Sequence, residues 1–192
     1  QGASENYFSI DFHVEDTADH VVAFLSETGG ASPINLENVV LTEAPSGSLS
    51  LSEMASLSAV VDSFPDDIHL SVNDSASSIL AYLNSSDQEE RLAVYDADSI
   101  TVGSADAGDA VTVEDLRALL DLKHFDIASS SYDLDDSGDN LISLYNSDAD
   151  DKNTIISNAS NVLANDLSMR DNSVQDLYDF IAISADFIAD NG

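Results

Sequence analysis

The sequence predicts an α/β fold made of three copies of a strand–helix–strand–helix unit, arranged as a solenoid-like array with a parallel sheet. Three observations carry that expectation. First, VEDTADHVV (14–22), VNDSASSIL (72–80) and LDDSGDNLI (134–142) share an apolar residue, a polar one, Asp and then Ser or Thr, with two apolar residues following a short polar gap. Second, LSLSEMASL (49–57), VTVEDLRAL (111–119) and NSVQDLYDF (172–180) make another trio in the same order. Third, the spacings agree: the first trio steps by 58 and 62 residues, the second by 62 and 61. Two different motifs keeping one period means internal repetition. The units run over 8–65, 66–127 and 128–189, after a tag remnant or leader at 1–7 and before a tail at 190–192. The competing arrangement is a single compact α/β domain built from three degenerate copies.

Each unit opens on alternation. Ile10, Phe12 and Val14 in the first copy, and Ile68, Leu70 and Val72 in the second, alternate with polar residues as a half-buried strand does. The Asp-Thr or Asp-Ser that follows reads as a helix start, because its side-chain oxygens can accept from the open amides of the first turn and Asp suits the positive end of the helix dipole. Val21, Val22 and Leu25, then Ile79, Leu80 and Leu83, form the apolar stripes of these helices, which stop near Gly29-Gly30 and Asn84-Ser85-Ser86. Val39–Leu41 and Ile100 with Val102 predict the second strand. A second helix is expected over 52–63 and 114–124, closed by Phe64 and Phe125, with Pro65 barring continuation of the first.

Composition narrows the function. The chain carries 37 acidic residues against five basic ones, a formal net charge of -32. Such a surface repels nucleic-acid phosphates and anionic lipid, and favours cations. A hydrophobic content of 43% still supplies a core. The absence of cysteine removes disulfides, thiolate metal sites and Cys nucleophiles. No apolar run approaches the roughly 18–20 residues of a membrane span, so no membrane insertion is expected. The N-terminus lacks the basic-then-apolar pattern of a signal peptide, so export signals of a longer parent chain would lie elsewhere.

The apolar-x-apolar-x-Asp-Thr-Ala pattern, complete from Val14 to Ala18 and nearly so from Val72 to Ala76, resembles a repeat of giant secreted bacterial proteins. Leu49–Leu51 and Val111–Val113 are similar to the Leu-Thr-Leu or Val-Thr-Val segment found about half a unit later in such repeats. These proteins look like RTX-type, type I-secreted surface or adhesin-like polypeptides, often described only as calcium-binding or repeat proteins. The resemblance covers nearly the whole chain and rests on strand and helix-cap grammar. The third copy departs furthest, with Gly138 in place of Ala. What the resemblance implies is an exported structural or adhesive role without a catalytic site.

Calcium is the expected cofactor. Asp133, Asp135, Ser137 and Asp139 place oxygens at alternate positions with Gly138 between the last two, as in the first half of an EF-hand loop. Asn140 and Leu144 break the remainder of that pattern, which leaves a simpler calcium loop or a solvated loop with a helix cap at Asp136 or Ser137. Asp148, Asp150 and Asp151 form a second candidate, since alternate Asp residues on a flexible loop suit a hard cation as well as plain solubility. Asp96 with Asp98, and Asp106 with Asp109, are weaker versions. His13, His20, His69 and His124 lack zinc-ligand spacing and read as surface or partly buried histidines.

No Gly-x-Ser-x-Gly, phosphate loop or His-Glu-x-x-His motif occurs. The absence of Trp leaves six tyrosines to supply any sugar-stacking surface. The leading expectation is therefore a non-enzymatic structural or adhesive region of a large bacterial surface protein, stabilised by calcium or salt. Its partners would be neighbouring repeats of the same polypeptide and a cell-surface glycan or protein. Alternatives are an acidic, halophilic-type enzyme domain with a carboxylate site, or an acidic module for a basic partner.

Overall fold

The computed structural model describes residues 14–28, 39–61, 63–103, 110–147, 150–165 and 178. Among them the chain runs β1 (Val14–Asp16), α1 (Ala18–Glu27), β2 (Val39–Leu41), α2 (Leu51–Ser58), β3 (Ser71–Asp74), α3 (Ala76–Leu83), α4 (Gln88–Tyr95), β4 (Ser99–Val102), β5 (Ala110–Val111), α5 (Val113–Leu120), β6 (Tyr132–Asp136), α6 (Gly138–Tyr145), α7 (Asp150–Asn158) and β7 (Ala159–Ala164). The fold is mixed α/β, and every strand pairing is parallel.

The strands form three small sheets, β1-β2, β3-β4 and β5-β6-β7, in place of the single parallel sheet the sequence suggested. Single parallel bridges lie at the joints: Leu49 pairs with Val72 beside β3, and Phe125 with Ile100 beside β4. The ladders are interrupted where the chain turns. Pro65, which has no amide to give a ladder, accepts from the Ile68 amide, and Ile127 accepts from Ser130.

Register follows burial. In β6, Tyr132, Leu134 and Asp136 point inward while Asp133 and Asp135 stay partly exposed. In β2, Val39 and Leu41 are buried and Val40 faces out. Period-two alternation gives β2 and β6 one buried face each, which fixes the set of side chains they turn inward. The inward residues join the helix stripes in one core: Leu51, Met54 and Leu57 of α2, Ile79 of α3, and Leu116 and Leu119 of α5 are fully buried with Leu70, Ile100 and Leu134. The helices pack in sequence, α1 on α2, α2 on α4, α3 on α4 and α5, and α5 on α6 and α7.

Two helices lie outside the expected pattern. Gln88–Tyr95 is mostly polar and inserts only Ala93 and Val94 into the core; Asp150–Asn158 inserts Ile155 and Ile156. Each buries too little to write a helical stripe into the sequence. The helices expected over 52–63 and 114–124 are shorter, at Leu51–Ser58 and Val113–Leu120.

Burial of Leu116 is complete, so Leu116→Ala should lower unfolding free energy by about 2–5 kcal/mol through lost transfer and the cavity left behind. Leu92, 37% exposed on α4, should cost much less on the same substitution. Urea denaturation of both variants checks the contrast; equal losses would contradict this placement of the core.

Candidate functional site

Members of the two sequence trios meet in space at two places, whereas 172–180 lies outside the described residues apart from Tyr178. Asp16, Asp74 and Asp136 are the last residues of β1, β3 and β6, and each is followed by the N-cap of a helix. The Oδ1 atom of each accepts the next amide: Thr17 at 2.8 Å, Ser75 at 2.8 Å and Ser137 at 2.7 Å. Each cap hydroxyl then accepts from the third residue after it, Thr17 from His20, Ser75 from Ser78 and Ser137 from Asn140. These bonds satisfy donors that a helix leaves open in its first turn.

The second carboxylate oxygen reaches into the other trio. Asp74 Oδ2 accepts the amide of Leu51 at 2.9 Å, and Asp136 Oδ2 accepts that of Val113 at 2.9 Å. Leu51 and Val113 are the first residues of α2 and α5, each 23 positions upstream of its acceptor. Ser50 with Glu53 and Thr112 with Asp115 complete capping boxes on the same helices. One carboxylate thus serves the start of its own helix and that of the preceding one. Both pairs map onto each other at a shift of 62, as do the adjoining pairings Leu49↔Val72 and Val111↔Leu134.

Asp136 is buried, 6% exposed, and also accepts from Asn140 Nδ2 at 2.8 Å. At Asp16 the fourth residue on is His20, whose Nδ1 donates to Oδ1 at 2.8 Å. That bond, followed by the Thr17 amide, holds the Asp16 carboxyl below its ordinary range. The α1 start is closed from another direction, by the Ala18 amide donating to the Glu43 carbonyl at 3.1 Å.

The expected calcium loop has a different shape. Asp133 and Asp135 lie on β6, Ser137 caps α6, and Asp139 sits exposed in its first turn. The inward alternation of Tyr132, Leu134 and Asp136 makes the segment a strand, a pattern that the surrounding Asp residues obscure in the sequence. Asp133 Oδ1 accepts from Asn161 Nδ2 at 2.7 Å, while Asp135 Oδ1 is buried without a hydrogen-bond partner. Of the second candidate, Asp148 lies outside the described residues, and Asp150 and Asp151 belong to α7 instead of a flexible loop. Asp106 and Asp109 also lie outside the described residues. Among the described residues no group of three or more His, Asp or Glu gathers around one point. Asp98 accepts the Leu70 amide at 2.8 Å and stands 3.7 Å from His69 Nδ1, whereas burial raises the Asp96 carboxyl.

Tyr132 is the most deeply buried tyrosine among the described residues. Its hydroxyl donates to the Ile155 carbonyl at 2.7 Å, and burial pushes the phenol above its ordinary range. Lys152 Nζ stands 4.8 Å from the Tyr145 ring centroid. A cavity of about 600 Å³ opens beside α4 and α5, lined in part by Leu83, Val94, Ile100, Lys123 and His124. Among the described residues lining it, Asp121 is the one carboxylate. No helix among the described residues is long and apolar enough to cross a membrane. Comparison with known proteins finds no matching family model, no matching curated protein and no matching solved structure.

Asp136→Ala should destabilise the chain by about 1–3 kcal/mol, because the amides of Val113 and Ser137 lose a shared acceptor away from water. Urea unfolding checks this, and a cost within error of zero would remove the carboxylate from the account. At Asp16 the prediction concerns pH. A folded-state pKa below the unfolded one gives stability that is present above the unfolded carboxyl range and lost as pH falls through the lowered folded value. His20→Ala should therefore raise the Asp16 pKa in a carboxyl ¹³C NMR titration; an unchanged midpoint would contradict the His20 assignment.

Proposed function

We propose that the chain is a structural or adhesive repeat region of a large exported bacterial surface protein, working as a spacer in a solenoid-like array. The observation that carries this reading is the recurrence, at a shift of 62, of the carboxylate that caps both its own helix and the preceding one. A domain whose halves are joined by the same bond at the same offset can be lengthened by adding units, each burying its apolar face on its neighbour. The units are 8–65, 66–127 and 128–189, and their partners are neighbouring units of the same polypeptide. A glycan or protein on an apposed surface is the adhesive partner, met by the polar outward side chains of the strands, among them Asn73, Thr101, Asp133 and Asn161.

Charge fits an extracellular setting at the bacterial surface, where calcium or salt counters the self-repulsion of a net charge of -32. Screening acts over about 10 Å at 0.1 M ionic strength, so the acidic exterior stiffens or relaxes with the medium while the buried caps are little affected. Calcium bound at Asp133, Asp135, Ser137 or Asp139, and at Asp148, Asp150 or Asp151, would act in the same direction.

Duplicating residues 66–127 in frame after Phe125-Asp126-Ile127 tests the array. The longer chain should fold cooperatively, with a urea midpoint at or above that of the parent and a larger maximum dimension in small-angle X-ray scattering. Aggregation or loss of cooperative unfolding is the outcome of a closed single domain and would overturn the reading. Thermal unfolding in millimolar calcium, magnesium and matched sodium chloride adds the ionic side. Melting should rise with each, and a melting temperature indifferent to all three would remove calcium and salt from the proposal.

A further inference from the structure

We infer that the cavity at the ends of α3, α4 and α5 is a binding site for a free α-amino acid with an aliphatic or aromatic side chain. The inference stands apart from the array reading, because it concerns a place where the second copy departs from the repeat. The cavity holds about 600 Å³, within the range of sites that enclose a small ligand. Its walls include Leu83, which ends α3, Tyr95, which ends α4, and the turn over 121–124 that follows α5. Val94 and Ile100 line it from within the core at 2% and 1% exposure, and Ala118 and Leu122 are half-buried. Such a lining suits an apolar side chain, which gains by leaving water. Tyr95, 59% exposed, adds a ring against which an aromatic side chain can pack. The turn itself is fixed at both ends. The Leu122 amide donates to the Leu119 carbonyl at 3.0 Å, and the Ile100 amide donates to the His124 carbonyl at 2.9 Å. Asp121, Lys123 and His124 are thus carried on backbone held between a helix end and a strand, so the site is formed before a ligand arrives.

Both signs of charge meet at this cavity. Three helix C-termini bring the negative ends of their dipoles to it, and Asp121 adds a carboxylate; together they favour an ammonium group. Lys123 and His124 supply donors for a carboxylate. Lys123 is available for that role: in a chain with 37 acidic residues it makes no ion pair among the described residues. A simple anion would meet Asp121 and a net charge of -32, and a simple amine would meet Lys123. A zwitterion is neutral overall and finds a partner for each of its charges. The first copy shows that the repeat has no need of these groups. At a shift of 62, Asp121 falls on the helix C-cap Ala59, and Lys123 falls on Val61, which is 5% exposed.

Titration of leucine onto the full chain, followed by ¹H–¹⁵N NMR, tests the site. Saturable shifts are expected at the amides of Ala118, Leu122, Lys123 and His124, with a dissociation constant on the order of 1 mM. Glycine lacks the apolar body, while isocaproate and isoamylamine each keep only one of leucine's two charges. All three should bind about tenfold more weakly. Asp121→Asn and Lys123→Gln alter exposed side chains, so each should weaken leucine by about tenfold with the urea midpoint unchanged. Asp121→Asn should at the same time strengthen isocaproate, an effect that a purely structural Asp121 would not give. Absence of shifts at tens of millimolar leucine would overturn the site. Equal binding of leucine and any of the three analogues, or of leucine to the parent and both variants, would overturn the recognition of an apolar zwitterion. Should either variant lower the urea midpoint, the analogue series on the unaltered chain decides alone.

Discussion

The first turn of an α-helix presents amides that the helix cannot bond for itself, and a helix laid against a sheet must find acceptors for them away from bulk water. In this protein the recurring answer is a carboxylate at the end of a parallel strand. Asp74 and Asp136 each accept one amide from the helix that follows and one from the first residue of the helix before it. Strand register and the starts of two helices are thereby tied at one point. A one-residue slip of β6 would turn Asp136 to the outer face and bring Asp135 or Ser137 inward, with the core residues Tyr132 and Leu134 displaced together.

That dependence explains how so acidic a chain keeps an ordered core. Most of the described carboxylates lie outside and repel one another in a way that ions relieve. The few at strand ends and in capping boxes face amides instead of other acids, where negative charge is favoured by the helix dipole. Asp136 is the extreme case, buried and taking hydrogen bonds from three donors. Its surroundings thus convert the commonest charge of the composition into a structural bond.

Much of the local architecture was legible in the sequence. Thr17, Ser75 and Ser137 cap helices where the Asp-Ser/Thr pairs indicated, and Val39–Leu41 and Ser99–Val102 are strands. Asp133–Asp139 misled because its acids suggested a loop, while the strand signal rested on only Tyr132 and Leu134. α4 and α7 left almost no periodic trace, since each buries two adjacent side chains. The lateral reach of Asp74 and Asp136 was hidden for a different reason: it joins residues far apart in sequence. Its one trace is the constant offset of 23 between the first residue of the second helix and the next strand-end Asp. That offset acquires meaning only once the strands are seen to be parallel neighbours.

Amide hydrogen exchange at Leu51 and Val113 in the unaltered chain is the most direct measurement of this joint. As first-turn amides they would ordinarily exchange fast. The account predicts exchange slowed at least tenfold relative to Ser52 and Glu114, the next residues of the same helices, because a charge-assisted bond of this kind contributes about 1.5–3 kcal/mol. Equal, fast exchange at all four positions would contradict the claim that the strand-end carboxylates hold the starts of the preceding helices.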